Sequence, residues 1–116
     1  MKVGIVGSRR RIDKENIYKL VDSLKKEDIV VSGGCKGVDS WAEERAKERG
    51  LNTIIFKPKL DGCNEYWKYV QAYYSRNKQI AEESDVIYAF VSSDRTGGTE
   101  NTIKYASGLK KKVVIL

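Results

Sequence analysis

Ser32-Gly33-Gly34-Cys35-Lys36-Gly37-Val38-Asp39 is the stretch on which the reading of this chain turns. Ahead of it runs Asp28-Ile29-Val30-Val31, short, β-branched and apolar, a strand pattern. Behind it, Ser40 to Gly50 is rich in helix formers and closes on a glycine, the usual residue past a helix C-terminus. The glycines therefore sit between a strand and a helix. There, glycine lets the backbone turn through positive φ and lets another group approach the main chain closely. The first amides of the following helix are unpaired and carry positive partial charge, which favours an anion. On this stretch alone two readings stand: a phosphate or carboxylate cradle, and a tight βα turn that binds nothing.

The same alternation extends outward in both directions. Lys2 to Val6 is apolar and β-branched, a buried strand, and Gly7-Ser8-Arg9-Arg10-Arg11 follows it as a turn. Asp13 is the expected N-cap of a helix to about Glu27, with Ile17, Leu20, Val21 and Leu24 forming one apolar stripe. Beyond the glycine turn, Asn52 to Phe56 reads as a third strand. Pro58 to Asn64, with the only proline and Asp61-Gly62, reads as a loop. A long helix is expected from about Glu65 to Glu83, a fourth strand from Asp85 to Val91, and a polar loop from Ser92 to Gly98. A last helix from about Thr99 to Leu109 and a fifth strand from Lys112 to Leu116 complete the chain. Most strands are apolar throughout, the pattern of a parallel sheet covered on both faces. With right-handed crossovers this predicts a single α/β domain over residues 1–116. It is a three-layer Rossmann-like fold with a five-stranded parallel sheet, order 3-2-1-4-5, and helices on both faces.

Composition narrows the chemistry. The chain has 116 residues, enough to bury a real core, and a formal net charge of +6, which suits an anionic partner. Weak nucleic-acid binding at low salt is expected from that charge alone. No apolar run approaches the roughly 18 residues that cross a bilayer. The N-terminus lacks the apolar core of a signal peptide. The expectation is a cytoplasmic protein with no membrane association. There is no histidine, and Cys35 and Cys63 fit no metal spacing, so no metal, no histidine-based triad and no cofactor is implied.

In a doubly wound sheet, ligands sit beyond the carboxyl ends of the strands, near the point where the winding reverses. Those ends carry Gly7-Ser8-Arg9, Ser32 to Asp39, and Ser92 to Thr99. Three turns rich in Gly, Ser or Thr, two of them with basic residues, are thus expected to converge on one rim.

Taken together, these turns resemble the SLOG superfamily, which groups the DprA/Smf proteins with the Lonely-guy (LOG) proteins. The chain is most similar to small stand-alone members related to the YspA/YpsA proteins. The resemblance rests on Gly7-Ser8-Arg9, on Val31 to Asp39, on Arg76-Asn77 ahead of Ala81 and Ser84-Asp85-Val86, and on Gly98-Thr99. It implies a Rossmann-like domain that binds a nucleotide or nucleotide-derived small molecule at this rim. The implied ligand residues are Gly7, Ser8, Arg9, Ser32, Gly33, Gly34, Gly37, Asp39, Arg76, Asn77, Gly97, Gly98 and Thr99.

The chain departs from the catalytic members of that superfamily. LOG phosphoribohydrolases carry Pro-Gly-Gly-x-Gly-Thr-x-x-Glu, whose glutamate is catalytic. Here the run is Thr96-Gly97-Gly98-Thr99-Glu100-Asn101-Thr102-Ile103-Lys104. Aligning on Gly97-Gly98 puts Lys104 at the glutamate position, and aligning on Gly98-Thr99 puts Thr102 there. No catalytic residue is therefore expected. A nucleotide N-glycosidic hydrolase is the alternative, and it would have to use Glu100. A further alternative is DprA-like binding of single-stranded DNA.

Individual residues carry competing readings. Arg9 sits at the Gly-Ser-Arg position, and a guanidinium fork suits phosphate. Arg10 and Arg11 read as a solvated face. Asp39 either caps the second helix or hydrogen-bonds a ribose hydroxyl, and Cys35 reads as a spacer. Tyr66, Trp67, Tyr69, Tyr73 and Tyr74 exceed what one buried stripe needs. They read as the face of a homodimer, with a base-stacking platform as the other option.

Overall fold

A computed structural model describes residues 1–116. Five strands, β1 (Lys2–Gly7), β2 (Ile29–Ser32), β3 (Asn52–Ile55), β4 (Val86–Phe90) and β5 (Lys112–Ile115), form one sheet. Every pairing is parallel and the order is β3-β2-β1-β4-β5, as the continuous apolar strands predict. The connecting helices are α1 (Lys14–Asp22), α2 (Val38–Glu48), α3 (Tyr66–Glu83) and α4 (Gly98–Gly108).

Alternate side chains of each strand feed two separate cores. Val3, Ile5, Val30, Val86 and Phe90 pack with Ile17 and Val21 of α1 and Ala42 and Ala46 of α2. Val6, Val31, Ile87 and Ala89 pack on the other face with Ile80 and Ala81 of α3 and Ala106 of α4. The winding reverses between β1 and β4, so α1–α2 and α3–α4 lie on opposite faces. The loops after β1, β2 and β4 leave at the same end of the sheet.

Three local expectations are corrected. Helix α1 stops at Asp22, five residues short of Glu27, where Ser23 turns its hydroxyl onto the Leu20 carbonyl and Asp28 accepts the Lys25 amide. Asp13 makes no capping hydrogen bond to the α1 backbone, because Arg11 holds its carboxylate in a two-pronged pair at 2.8 and 2.6 Å. That pair keeps the Asp13 carboxyl well below the usual carboxylate range. Arg11 is likewise not a solvated residue. It is half-buried and donates to the carbonyls of Val91 and Leu116 at 3.0 and 2.8 Å, tying the ends of β4 and β5 to the loop after β1.

The junction of β1 with α2 depends on Gly7. A Cβ there would lie 2.5, 2.7 and 2.8 Å from three side-chain carbons of Val38, a β-branched and fully buried residue. Gly7→Ala is expected to lower stability by about 1–3 kcal/mol through overpacking. Urea denaturation of Gly7→Ala, Val38→Ala and the double variant checks this. The double variant should recover much of the loss, and additive losses would place the strain elsewhere.

Candidate functional site

An open cavity of about 610 Å³ lies at the carboxyl end of the sheet, between the β1 and β2 loops on one side and α3 and the start of α4 on the other. Gly37 opens α2 with φ +88° and Gly97 opens α4 with φ +101°, conformations that favour glycine. At Gly97 nothing lies within 4 Å of where a Cβ would stand.

The inner wall is a polar network built on Arg76. This arginine, 6% exposed, donates to the Gly33 carbonyl at 2.7 Å and to Asn77 Oδ1 at 2.9 Å. Its remaining nitrogen reaches Cys35 Sγ at 3.5 Å, and its guanidinium lies 5.5 Å from the Tyr73 ring centre. Asn77 in turn donates to the Gly98 carbonyl at 3.3 Å and to Asn101 Oδ1 at 3.0 Å. One pair of neighbours on α3 thus connects the glycine turn after β2 to the first turn of α4.

Asp39 stands on the other side of that turn, also 6% exposed. It accepts the Cys35 amide at 3.3 Å, so it organises the glycine turn and makes no capping bond to α2. Burial pushes its carboxyl up to about 6, and the Cys35 amide, the Arg76 charge and the Gly33 amide pull it partway back.

Arg9 is exposed on the rim, and no carboxylate pairs with it. Its pKa is raised, first by the Cys35 sulfur and less by Tyr73, against partial desolvation. Arg10 is paired with Asp94, which also accepts from Ser92 and Thr96 at 2.8 Å. This joins the loop after β1 to the loop after β4. Opposite these loops, Tyr66, Tyr69, Val70 and Tyr73 follow one another at helical spacing along α3 and form the apolar wall.

Of the residues expected from the sequence, Gly7, Ser8, Arg9, Asp39, Arg76, Asn77, Gly97, Gly98 and Thr99 line the cavity. Ser32, Gly33, Gly34 and Gly37 do not. Ser32 is fully buried and donates to the Ile5 carbonyl at 2.8 Å. Gly33 is spent on Arg76, whose nitrogen would lie 2.4 Å from a Cβ there. Gly34, at φ +71°, faces Ile55 and Lys57 of the β3 side. Gly37 caps α2 outside the lining, where a Cβ would come no closer than 4.0 Å, to Arg9 Cα. Glu100, the carboxylate a hydrolase would need, is gripped by Arg95 at 2.9 Å through both oxygens and lies outside the cavity. Cys35, read as a spacer, lines the cavity, and so do Tyr66, Tyr69, Tyr73 and Tyr74, read first as a dimer face.

The family model for DNA recombination-mediator protein A matches residues 1–63, more than half of the 116-residue chain. The chain belongs to this family. The membership bears out the SLOG resemblance, since DprA is a SLOG protein. The matched region of the DNA recombination-mediator protein A family holds the Gly7-Ser8-Arg9 turn and the glycine turn. The tyrosine wall, Arg76 and the start of α4 lie beyond it. The fold also matches the X-ray structure of DNA processing protein A (DprA) from Streptococcus pneumoniae, with a TM-score of 0.81 and 22% identity. That match covers 98% of this chain and 49% of that one, so the chain spans about half the length of that relative. A more distant likeness, with a TM-score of 0.56 and 9% identity, joins it to the C-terminal domain of a hydrogenase from Pyrococcus furiosus. It covers 98% of this chain and 89% of that one. No curated protein matches the chain in sequence. No helix is long and apolar enough to cross a membrane.

Proposed function

We propose that the cavity binds a nucleotide unit, with its phosphate against Arg9 and the first turn of α4 and its base along the tyrosines of α3. The observation that carries this reading is the opposition of two chemistries across one cavity. An unpaired guanidinium and a glycine-opened helix start face a row of aromatic rings. Phosphate is favoured by the first and a base face by the second. Asn77 supports the arrangement by holding the Gly98 carbonyl, which fixes the first turn of α4 against α3.

Membership of the DNA recombination-mediator protein A family favours a nucleotide presented within single-stranded DNA. The aromatic row supports this too, because Tyr66 is 84% exposed and extends the wall beyond the cavity mouth. Pairing of two copies through α3 would fall to Trp67, which is exposed and lies outside the cavity lining. A hydrolase reading is less supported, because Asp39 is the one carboxylate in the lining and it is engaged by the glycine turn.

The test is calorimetric titration with a panel of mononucleotides and ADP-ribose, and with a short oligothymidylate at physiological salt. Arg9→Ala is expected to weaken binding by about 2 kcal/mol, roughly thirtyfold, through loss of a charge-assisted contact. Tyr73→Ala should weaken it as well, by about 1–3 kcal/mol if a base stacks there. Binding that both variants leave unchanged would move the anion site elsewhere.

A further inference from the structure

Beside the cavity lies a second depression, about 420 Å³, in the seam between α3 and α4. Lys78 of α3 and Asn101, Lys104 and Tyr105 of α4 line it, and Tyr74 lines both it and the cavity. Tyr74 and Lys78 are one helical turn apart, as are Asn101 and Tyr105, so each pair stands on one face of its helix. Gly108 follows on α4, and a Cβ there would meet nothing within 4 Å, which leaves the far end open. The two depressions share a divide. It comprises Tyr74 and the Asn77–Asn101 hydrogen bond of 3.0 Å, with Asn77 on the cavity side and Asn101 on the groove side.

The seam is basic and uncompensated. No carboxylate lines it, and neither Lys78 nor Lys104 takes part in any ion pair of the chain. Glu100, one turn before Lys104, is occupied by Arg95. Two unpaired ammonium groups among tyrosines, one of them 45% exposed, match the alternation of phosphate and base in a single strand. An acidic peptide would use the lysines and leave the aromatic faces unused.

We propose that the seam between α3 and α4 is a second subsite, taking the phosphate and base of the next nucleotide of a strand whose first nucleotide fills the cavity. This rests on the nucleotide reading of the cavity. It adds that the ligand is at least a dinucleotide and that the strand leaves the cavity across Tyr74.

Anisotropy titrations of an oligothymidylate of about twelve nucleotides, over a salt series, are compared with calorimetry of thymidine monophosphate. The proteins are wild type, Lys78→Ala/Lys104→Ala, Arg9→Ala and a charge control, Lys110→Ala/Lys112→Ala. The seam variant is expected to bind the oligonucleotide roughly tenfold more weakly, with the salt slope reduced by about 0.7, the value for one single-strand phosphate contact. Its affinity for the monophosphate should equal that of wild type, and the charge control should bind the oligonucleotide nearly as wild type does. All four lysines are at the surface, so folding is preserved. If Arg9→Ala weakens both ligands while the seam variant binds the oligonucleotide like wild type, the second subsite is wrong and the cavity reading stands. Equal losses in the seam variant and the charge control would reduce the effect to net charge and also overturn it. If Arg9→Ala changes neither ligand, the cavity reading itself fails, and the subsite falls with it.

Discussion

Replacing Arg76 with alanine is expected to lower the unfolding free energy by roughly 3 kcal/mol and to abolish with it the nucleotide binding proposed for the cavity. The guanidinium is buried and satisfies the Gly33 carbonyl and Asn77 Oδ1 at once. Its removal leaves a buried carbonyl without a donor, at a cost of about 1–3 kcal/mol. It also removes the contact with the Tyr73 ring and the one positive charge beside Asp39. With no guanidinium near it, the Asp39 carboxyl becomes still harder to ionise. The glycine turn then loses its tether to α3, and Asn77 loses the donor that orients it toward α4. Arg76→Lys should keep part of the stability, since an ammonium can reach one carbonyl, but not the planar fork that engages three partners. Urea denaturation of both variants measures the first effect, and titration with the best-bound nucleotide measures the second. A loss under about 1 kcal/mol for Arg76→Ala would show that the network does not hold the turn.

The second large effect is on pH dependence. The Asp39 carboxyl titrates at about 6 in the folded chain and at 3.8 as an unperturbed group. Between those values the native state holds a proton that the unfolded chain has lost. Stability contributed at this position is therefore full below about pH 4 and falls as pH rises toward and past about 6. Two units or so correspond to about 3 kcal/mol for a group this buried. Asp39→Asn should abolish that slope, because the amide oxygen can still accept the Cys35 N–H and carries no charge to desolvate. The measurement is the difference in unfolding free energy between wild type and Asp39→Asn from about pH 4 to pH 7. Carboxyls held low by ion pairs, Asp13 among them, are common to both proteins and cancel in this difference. A difference that stays constant across the window would mean that Asp39 is ionised in the fold at an ordinary pKa.

Much of the architecture was legible residue by residue. Continuous apolar strands, helix-period stripes and glycines between them prescribe a parallel α/β sheet, because hydrophobic period and turn chemistry are local properties. The same local logic placed Gly7-Ser8-Arg9, Asp39 and Gly97 to Thr99 at the strand ends that bound the cavity. It misjudged Asp13 and the end of α1, where side chains of Arg11, Asp28 and Ser23 compete with the helix for the backbone or its cap.

What the amino-acid order could not convey is which way each element of the rim faces. Gly33 and Arg76 are 43 residues apart, and nothing local to either says that one receives the other. That contact commits the Gly33 carbonyl to Arg76, and the Ser32 hydroxyl is committed separately to the Ile5 carbonyl, so neither residue lines the cavity. The tyrosines of α3 carry a helical spacing that a dimer face and a ligand wall share. The crossover that lays α3 beside α4 and across from Arg9 is what brings Tyr66, Tyr69, Tyr73 and Tyr74 to the cavity lining. Chain order and periodicity thus determine the sheet and the loops that reach its rim. The packing of distant elements determines which side chains meet there, because burial and hydrogen-bond pairing depend on neighbours in space rather than along the chain.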